Sequence, residues 1–272
     1  MTPAPPPAAP EGLVVLHLYY RLERGIWETL SEPEKAQARA RLIERIEGIR
    51  ALPGTQLLSF AVLTPKADLG FMLLAPDPGT ALSAEKQLAA AAGPEVLSPA
   101  FSYLSMTERS EYTTSEEEYI RTLVEEEKLA AGTPEHEKAL GEWRARMAKY
   151  LNDRLYPKLP AWPVICFYPM SKRRGEIKNW YALPFEERKR LMGGHARTGR
   201  RWHGRILQLI TGSTGLDSDE WGVTLLAHEI GDIKGIIYEM RFDPVSADYA
   251  EFGDFFLGLQ LPPAEILQRI GM

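Results

Sequence analysis

Gln56-Leu-Leu-Ser-Phe-Ala-Val-Leu63, a break at Pro65-Lys66-Ala67-Asp68, and Leu69-Gly-Phe-Met-Leu-Leu-Ala75 are two apolar runs joined by a short polar segment. Runs of this length bounded by turn formers read as strands, and so short a break joins them as a hairpin. The Pro53-Gly54 pair opens the first run. Upstream, Leu13 to Leu22 is rich in valine, leucine and tyrosine, as a buried strand is. Between it and the hairpin, Ser31 with Glu34 makes a capping box, and Leu42, Ile43, Ile46 and Ile49 recur at helical spacing. Downstream, alanine-rich Ala81 to Ala92 predicts a helix that stops at Gly93-Pro94, and Ala100 to Met106 predicts a strand. The order β-α-β-β-α-β is a ferredoxin-like unit.

The order recurs further on. Val164 to Tyr168 predicts a strand, Pro184 to Gly193 a helix, and Ile206 to Ile210 with Trp221 to Ala227 a strand pair. Asp232 to Met240 then predicts a helix and Phe252 to Leu257 a last strand. Between the halves, Ser115 to Leu155 begins acidic and is rich in helix formers. The expected division is a Pro/Ala-rich tail at 1–11, a ferredoxin-like domain at 12–113, a helical connector at 114–158 and a second ferredoxin-like domain at 159–272. The expected fold class is α+β: two fused ferredoxin-like units whose sheets, each with one apolar face to hide, pack as in a dimeric α+β barrel.

Hydrophobic residues make up 44% of the 272-residue chain and charged residues 25%, the balance of a globular protein. Cys166 is the only cysteine, so an intrachain disulfide and a cysteine-built zinc site are excluded. The proline-dense start lacks the basic and apolar regions of a signal peptide, and no apolar run reaches the roughly 18 residues of a membrane span. A cytoplasmic protein is expected. The net charge of −5 conceals a basic segment: Ser171 to Arg205 holds eleven Lys/Arg against three acids. Such an excess is either a solvated face or a surface for an anionic partner. No nucleic-acid signature accompanies it.

The five histidines are His17, His136, His195, His203 and His228, and no pair has HExxH spacing. GxGxxG, P-loop and GxSxG signatures are also missing, which removes the common nucleotide and hydrolase chemistries. His195 stands out by context. It follows Met192-Gly193-Gly194 at the end of the short predicted helix, where glycine lets the backbone approach something flat or bulky. One histidine without a second protein ligand is the arrangement of a haem iron held through a single axial imidazole.

A dense block carries a further signal. It contains Cys166-Phe-Tyr-Pro-Met-Ser-Lys-Arg-Arg-Gly-Glu-Ile-Lys-Asn-Trp-Tyr181, Leu191-Met-Gly-Gly-His195, Gln208-Leu-Ile-Thr-Gly-Ser213, Glu220-Trp-Gly-Val-Thr-Leu225 and Tyr238-Glu-Met-Arg-Phe-Asp243. Ser246 and Tyr249-Ala-Glu-Phe-Gly253 complete it. In order and spacing the C-terminal half resembles the coproheme decarboxylases, the haem synthase branch of the chlorite dismutase family. The resemblance implies a pair of ferredoxin-like units, a homo-oligomer that is commonly a ring of five, and Fe-coproporphyrin III (coproheme) as substrate and redox cofactor. It also implies hydrogen peroxide as oxidant and haem b as product, with two propionates lost as carbon dioxide, the last step of coproporphyrin-dependent haem biosynthesis.

Carried over residue by residue, His195 falls on the axial ligand of iron and Tyr168 on the redox-active catalytic residue. Arg154, Tyr168, Pro169, Met170, Ser171, Lys172 and Ser246 fall on contacts to the porphyrin and its propionates. Gln208 falls on the distal side, where chlorite dismutases proper carry arginine. Asp219 stands where the family often has tryptophan. The chemistry agrees: a substrate with four carboxylates needs cationic and hydroxyl donors. A phenol can pass an electron and a proton to an oxidised haem and then take hydrogen from a propionate carbon. Other readings stay open. Tyr168 alternates with Cys166 and Val164 and suits a core tyrosine, as in a non-enzymatic haem carrier. A haem-dependent chlorite dismutase or peroxidase shares the fold, though Gln208 lacks the guanidinium suited to an oxidised chlorine leaving group. Lys172 is expected in an exposed strand-exit loop with Arg173 and Arg174.

Overall fold

A computed structural model describes residues 12–272, so the tail expected at 1–11 lies outside the described residues. The elements fall into two compact units, Gly12–Thr107 with Leu159–Met272, and Glu108–Lys158. The larger unit opens with β1 (Val14–Leu22), α1 (Arg24–Thr29), α2 (Glu32–Arg50), β2 (Gln56–Val62), β3 (Leu69–Ala75), α3 (Pro78–Ala91) and β4 (Leu97–Met106). The smaller unit holds α4 (Glu116–Glu125) and α5 (Pro134–Leu155). The larger unit resumes with β5 (Val164–Lys172), a 3-10 turn (Trp180–Ala182), α6 (Phe185–Arg200), β6 (Ile206–Gly212) and β7 (Trp221–Ala227). It ends with α7 (Ile230–Met240), α8 (Pro244–Tyr249), β8 (Ala250–Phe252), β9 (Phe256–Gln260) and α9 (Pro263–Ile270).

Local chemistry sets these boundaries. At the start of α2 the Glu34 carboxylate accepts from the Ser31 N–H at 2.8 Å, closing the predicted capping box. Asp77 caps α3 by accepting from the Thr80 N–H at 2.9 Å, with Pro78 at the first helical position. The hairpin is β2 with β3, in the register Phe60↔Gly70. The last predicted strand is two strands, β8 and β9, because the chain turns at Gly253-Asp254-Phe255.

The nine strands of the described residues form one sheet, in the order β7-β6-β4-β1-β3-β2-β9-β5-β8. An additional pairing of β7 with β5 closes eight of them into a ring, leaving β8 attached to β5. The two halves are joined by β2 with β9 and by Met106↔Gly212 between β4 and β6. Closure removes the edge strands two separate sheets would expose. It also gives every strand an inner and an outer face. Tyr19, Phe60, Met72, Tyr103, Phe167 and Phe256 come from both halves and meet inside. Outside, α2, α3 and α9 cover one half. Val164, Cys166, Tyr168, Val223 and Leu225 form the outer apolar surface of the other half, under Ile233, Ile236 and Met240 of α7.

Gly70 shows how tightly the interior is filled, since a Cβ there would stand 2.0 Å from Cε2 of Phe60. Phe60 is 1% exposed and cannot swing clear. Gly70→Ala is therefore expected to cost about 1–3 kcal/mol, the usual penalty of overpacking a filled core, read as a lower denaturant midpoint with an unchanged slope.

Candidate functional site

β5 is the best-placed strand for a site, because it pairs with β7 along its length, with β9 at its start and with β8 at its end. Alternation points Tyr168, Met170 and Lys172 to one face and Pro169 and Ser171 to the other. Pro169 has no N–H to give the ladder, but its carbonyl accepts from the Gly253 N–H at 2.9 Å. A Cβ at Gly253 would lie 2.7 Å from Cγ of Pro169, so glycine is what admits the ring. The Ser171 hydroxyl donates to Asp219 Oδ1 at 2.9 Å, which leaves the backbone of Ser171 nearer than its side chain to the Tyr168 face.

The Tyr168 ring is buried and stacks on Phe255, with ring centres 4.4 Å apart. Burial raises the pKa of its hydroxyl, Cys166 adds to the rise, and Arg241 opposes it. The hydroxyl makes no hydrogen bond to another described residue. Register extends this face across the sheet: Tyr168↔Val223↔Ile210 form one row and Cys166↔Leu225↔Gln208 the next. Residues directly opposite point the same way, so Gln208 shares the outer face with Tyr168. Its amide lies against α6, 3.1 Å from where a Cβ of Gly199 would be.

Lys172 corrects the expectation of an exposed loop residue. It is the last residue of β5, paired with Ala250 of β8, and is 7% exposed. A Lys-Arg-Arg run after an apolar strand reads as solvated because nothing local reveals that β8 and Trp180 will cover its first member. The Lys172 N–H donates to Glu220 Oε2 at 2.7 Å, and Nζ lies 4.5 Å from the Trp180 ring centre. No described residue accepts a hydrogen bond from Nζ. Burial lowers the pKa of Lys172 to about 8, with Asp243 and Glu220 pulling the other way. Several other basic residues of the segment differ in kind. Arg174 faces Glu220 at 3.9 Å, Arg190 pairs with Glu187 at 2.6 Å and Lys178 with Asp248 at 2.9 Å, and their positive charge is largely answered within the chain.

The helix expected to stop at Gly193 runs on to Arg200, so His195 lies within α6 rather than after it. Two successive glycines weaken a helix by roughly 1 kcal/mol each, which is why the sequence suggests a stop. Here Phe185-Glu-Glu-Arg-Lys-Arg-Leu-Met and Arg197-Thr-Gly-Arg extend the helix across them. Cβ atoms at Gly193 and Gly194 would meet only the Arg197 guanidinium, so the space beside them is open. The His195 side chain is 26% exposed, and Nδ1 lies 2.5 Å from Oδ2 of Asp243.

Asp243 is the residue sequence reasoning quoted without giving it a role. Asp-Pro at a helix start is a capping signal, and Asp243 does cap α8, accepting from the Val245 N–H at 2.9 Å. Burial acts to raise its pKa. The hydrogen bond with His195, the Val245 N–H, and the charges of His195 and Lys172 outweigh burial and hold the carboxyl below its ordinary value. An ionised Asp243 only accepts, so Nδ1 is the donor in this pair and Nε2 is the nitrogen that would be left for a metal when the ring is neutral. That is the usual carboxylate support of a histidine ligand. Ser246 is buried one turn into α8 from Asp243.

His195, Asp243 and Lys172 are thus linked through Asp243, and Tyr168 shares the strand face of Lys172. α6 contributes the histidine yet has no buried residue, Leu191 and Met192 included, whereas α7 buries Ile233, Ile236 and Met240. Arg154 belongs to the smaller unit, where its Nε donates to the Glu108 carbonyl at 2.7 Å. Among the described residues no three of His, Cys, Asp or Glu cluster as a protein-only metal site requires, and no helix is long and apolar enough to cross a membrane.

Comparison with known proteins agrees with this architecture. A protein of Natronomonas pharaonis named as heme-binding is 36% identical over 271 residues, covering 96% of this chain and 41% of that protein, so the chain spans about two-fifths of its relative's length. The structure of a heme-binding protein from Thermus thermophilus superposes with a TM-score of 0.80 at 33% identity, covering 98% of each chain. A variant chlorite dismutase from Candidatus Nitrospira defluvii shares the fold, with a TM-score of 0.71 at 17% identity over 97% of this chain and 98% of that one. The family profile described as chlorite dismutase matches residues 34–261, and the chain belongs to the chlorite dismutase family.

Proposed function

We propose that the protein binds coproheme and, with hydrogen peroxide, removes carbon dioxide from two of its four propionates to give haem b. The observation that carries this reading is Lys172, a buried ammonium with no hydrogen-bonded acid, on the same strand face as Tyr168. Burying a cation in that state is costly. A ligand carboxylate offsets the cost, and an ammonium–carboxylate hydrogen bond is among the stronger ones a protein makes. The half-covered α6 fits a broad apolar ligand, and His195 Nε2 would be the nitrogen that holds its iron. Both relatives named as heme-binding support the ligand class.

The bound iron porphyrin supplies the oxidising power. Around it, His195 fixes the iron, with Asp243 holding Nδ1–H. Lys172 would hold the reacting carboxylate, and Ser246 would serve another propionate. Gln208 would meet the porphyrin from β6. The raised pKa keeps Tyr168 protonated at neutral pH, so its hydroxyl has an electron and a proton to give and can then take a hydrogen from a propionate carbon. The C–C bond to the carboxylate breaks as that carbon gives up a second electron, so each propionate lost consumes one hydrogen peroxide, a two-electron oxidant. We place the enzyme in the cytoplasm as a homo-oligomer, in the family's ring of five.

The stacking of Tyr168 on Phe255 also suits a haem carrier in which the tyrosine only packs. One experiment separates the readings: addition of iron coproporphyrin III, then peroxide, then chromatography of the porphyrin. Conversion from four carboxylates to two is the expected result. An unchanged porphyrin after its iron has reacted with peroxide would leave the carrier.

Lys172→Met gives an independent prediction of opposite signs for stability and binding. The folded pKa of about 8 lies below the ordinary 10.5, so below pH 8 the burial cost of the ammonium is fully present. It shrinks as pH rises from about 8 and is gone by about 10.5, where both states are neutral. Replacing the ammonium with a thioether of similar length is expected to raise stability at pH 7 by up to about 3 kcal/mol, with no such gain at pH 11. The same variant should bind coproheme about tenfold more weakly. Thermal melts at both pH values and a porphyrin titration check this.

A further inference from the structure

The chain between β5 and α6 is more ordered than a connection needs to be. Arg174 and Asn179 form a bridge, the Gly175 N–H donates to the Lys178 carbonyl at 3.0 Å, and the Trp180 N–H donates to the Arg173 carbonyl at 2.9 Å. Lys178 Nζ pairs with Asp248 of α8 at 2.9 Å and lies 5.7 Å from the Tyr249 ring centre. These contacts carry Trp180 inward to 1% exposure, its ring centre 5.4 Å from that of Tyr249. Ile177 at the tip of the same loop is 92% exposed, so the loop is not folded to hide its own aliphatic residue. What it delivers is an indole face beneath the Lys172 ammonium, 4.5 Å away.

We propose that Trp180 is a positioning residue for Lys172, its indole face seating the ammonium at the end of β5 so that a porphyrin carboxylate meets it there. This rests on the carboxylate-binding role given to Lys172 above. Lysine has a flexible four-carbon stem, and holding its head in one place needs a partner. An acid would do so by taking the N–H donors that the ligand needs. An aromatic face attracts the cation through its quadrupole and leaves the donors free. The acids that face Lys172 fit this division of labour, because Glu220 takes the backbone N–H and Asp243 takes His195 and the Val245 N–H, and neither accepts from Nζ.

The seat and the carboxylate role are tested separately in the full-length protein. Trace acetylation by acetic anhydride, read at Lys172 by mass spectrometry without porphyrin, reports how firmly the amine is held. Trp180→Leu is expected to raise labelling at Lys172 about fivefold, and Trp180→Phe, which keeps an aromatic face, to stay within about twofold of the parent. Coproporphyrin III affinity should fall about tenfold in Trp180→Leu and be largely kept in Trp180→Phe. Unchanged Lys172 labelling in a folded Trp180→Leu protein overturns the proposal. So does equal loss in both variants at parental melting temperature, which would mark Trp180 as packing only. Parental coproporphyrin affinity in Lys172→Ala overturns instead the carboxylate role proposed for Lys172, and the labelling result still decides the seat.

Discussion

His195→Ala is expected to fold normally and to lose the axial bond to iron. The side chain is a quarter exposed and sits on a helix with no buried residue, so its removal leaves no sizeable core cavity. The larger consequence falls on Asp243. With the imidazole gone, the burial that acts to raise its pKa is opposed only by the Val245 N–H and by Lys172. The carboxyl should then hold its proton to higher pH. For the porphyrin, the two kinds of contact separate. Affinity for iron coproporphyrin III should fall about 100-fold, the upper end of what loss of even a supporting partner costs a metal site. Affinity for metal-free coproporphyrin III, which relies on the carboxylate contacts, should be nearly unchanged. Resonance Raman of the iron form provides the direct check. An iron–imidazole band that survives the substitution would reject His195 as the ligand.

What could be read in the sequence follows from the range of the forces involved. The hairpin of β2 and β3, the capping box of α2 and the Gly-Pro stop after α3 are decided by neighbours a few residues apart, and these were legible. So was the repetition of the ferredoxin-like order. The closure of both units into one ring was legible only as a packing possibility. It depends on β2 meeting β9 and β4 meeting β6, across separations no local pattern encodes. Lys172 and His195 show the same limit within the site. A lysine before two arginines looks solvated until β8 and Trp180 cover it, and a histidine after two glycines looks like a helix end until the segment beyond proves helical. Asp243 carries a local capping signal, Asp-Pro, but no local sign of its partnership, because the histidine it supports lies 48 residues away. The resemblance supplied roles for Tyr168, His195 and Gln208. The fold adds the hydrogen bond of His195 to Asp243 and the charge of Lys172 acting on that carboxylate, which no spacing in the sequence expresses.

Tyr168→Phe should leave the fold intact and abolish most decarboxylation. The substitution removes one hydroxyl and keeps the ring stacked on Phe255. A buried tyrosine in a purely structural role commonly costs about 1–3 kcal/mol on this change, because its hydrogen-bond partner is left stranded. Here the hydroxyl has no such partner among the described residues, so the expected stability change is below about 1 kcal/mol. Stability therefore says little about the role of Tyr168, and the chemistry has to decide. A group that passes a proton and an electron at the reacting carbon is expected to contribute about 10²–10⁴-fold to the rate. Iron in the variant should still react with peroxide, visible as a change in its absorption spectrum, while almost no haem b forms. Loss of both the spectral change and the product would instead place the defect at the iron. Haem b appearing at the parent rate from a folded Tyr168→Phe protein would remove Tyr168 from the reaction and reduce its stack on Phe255 to packing, since the hydroxyl is the only group on that ring able to hand over a hydrogen.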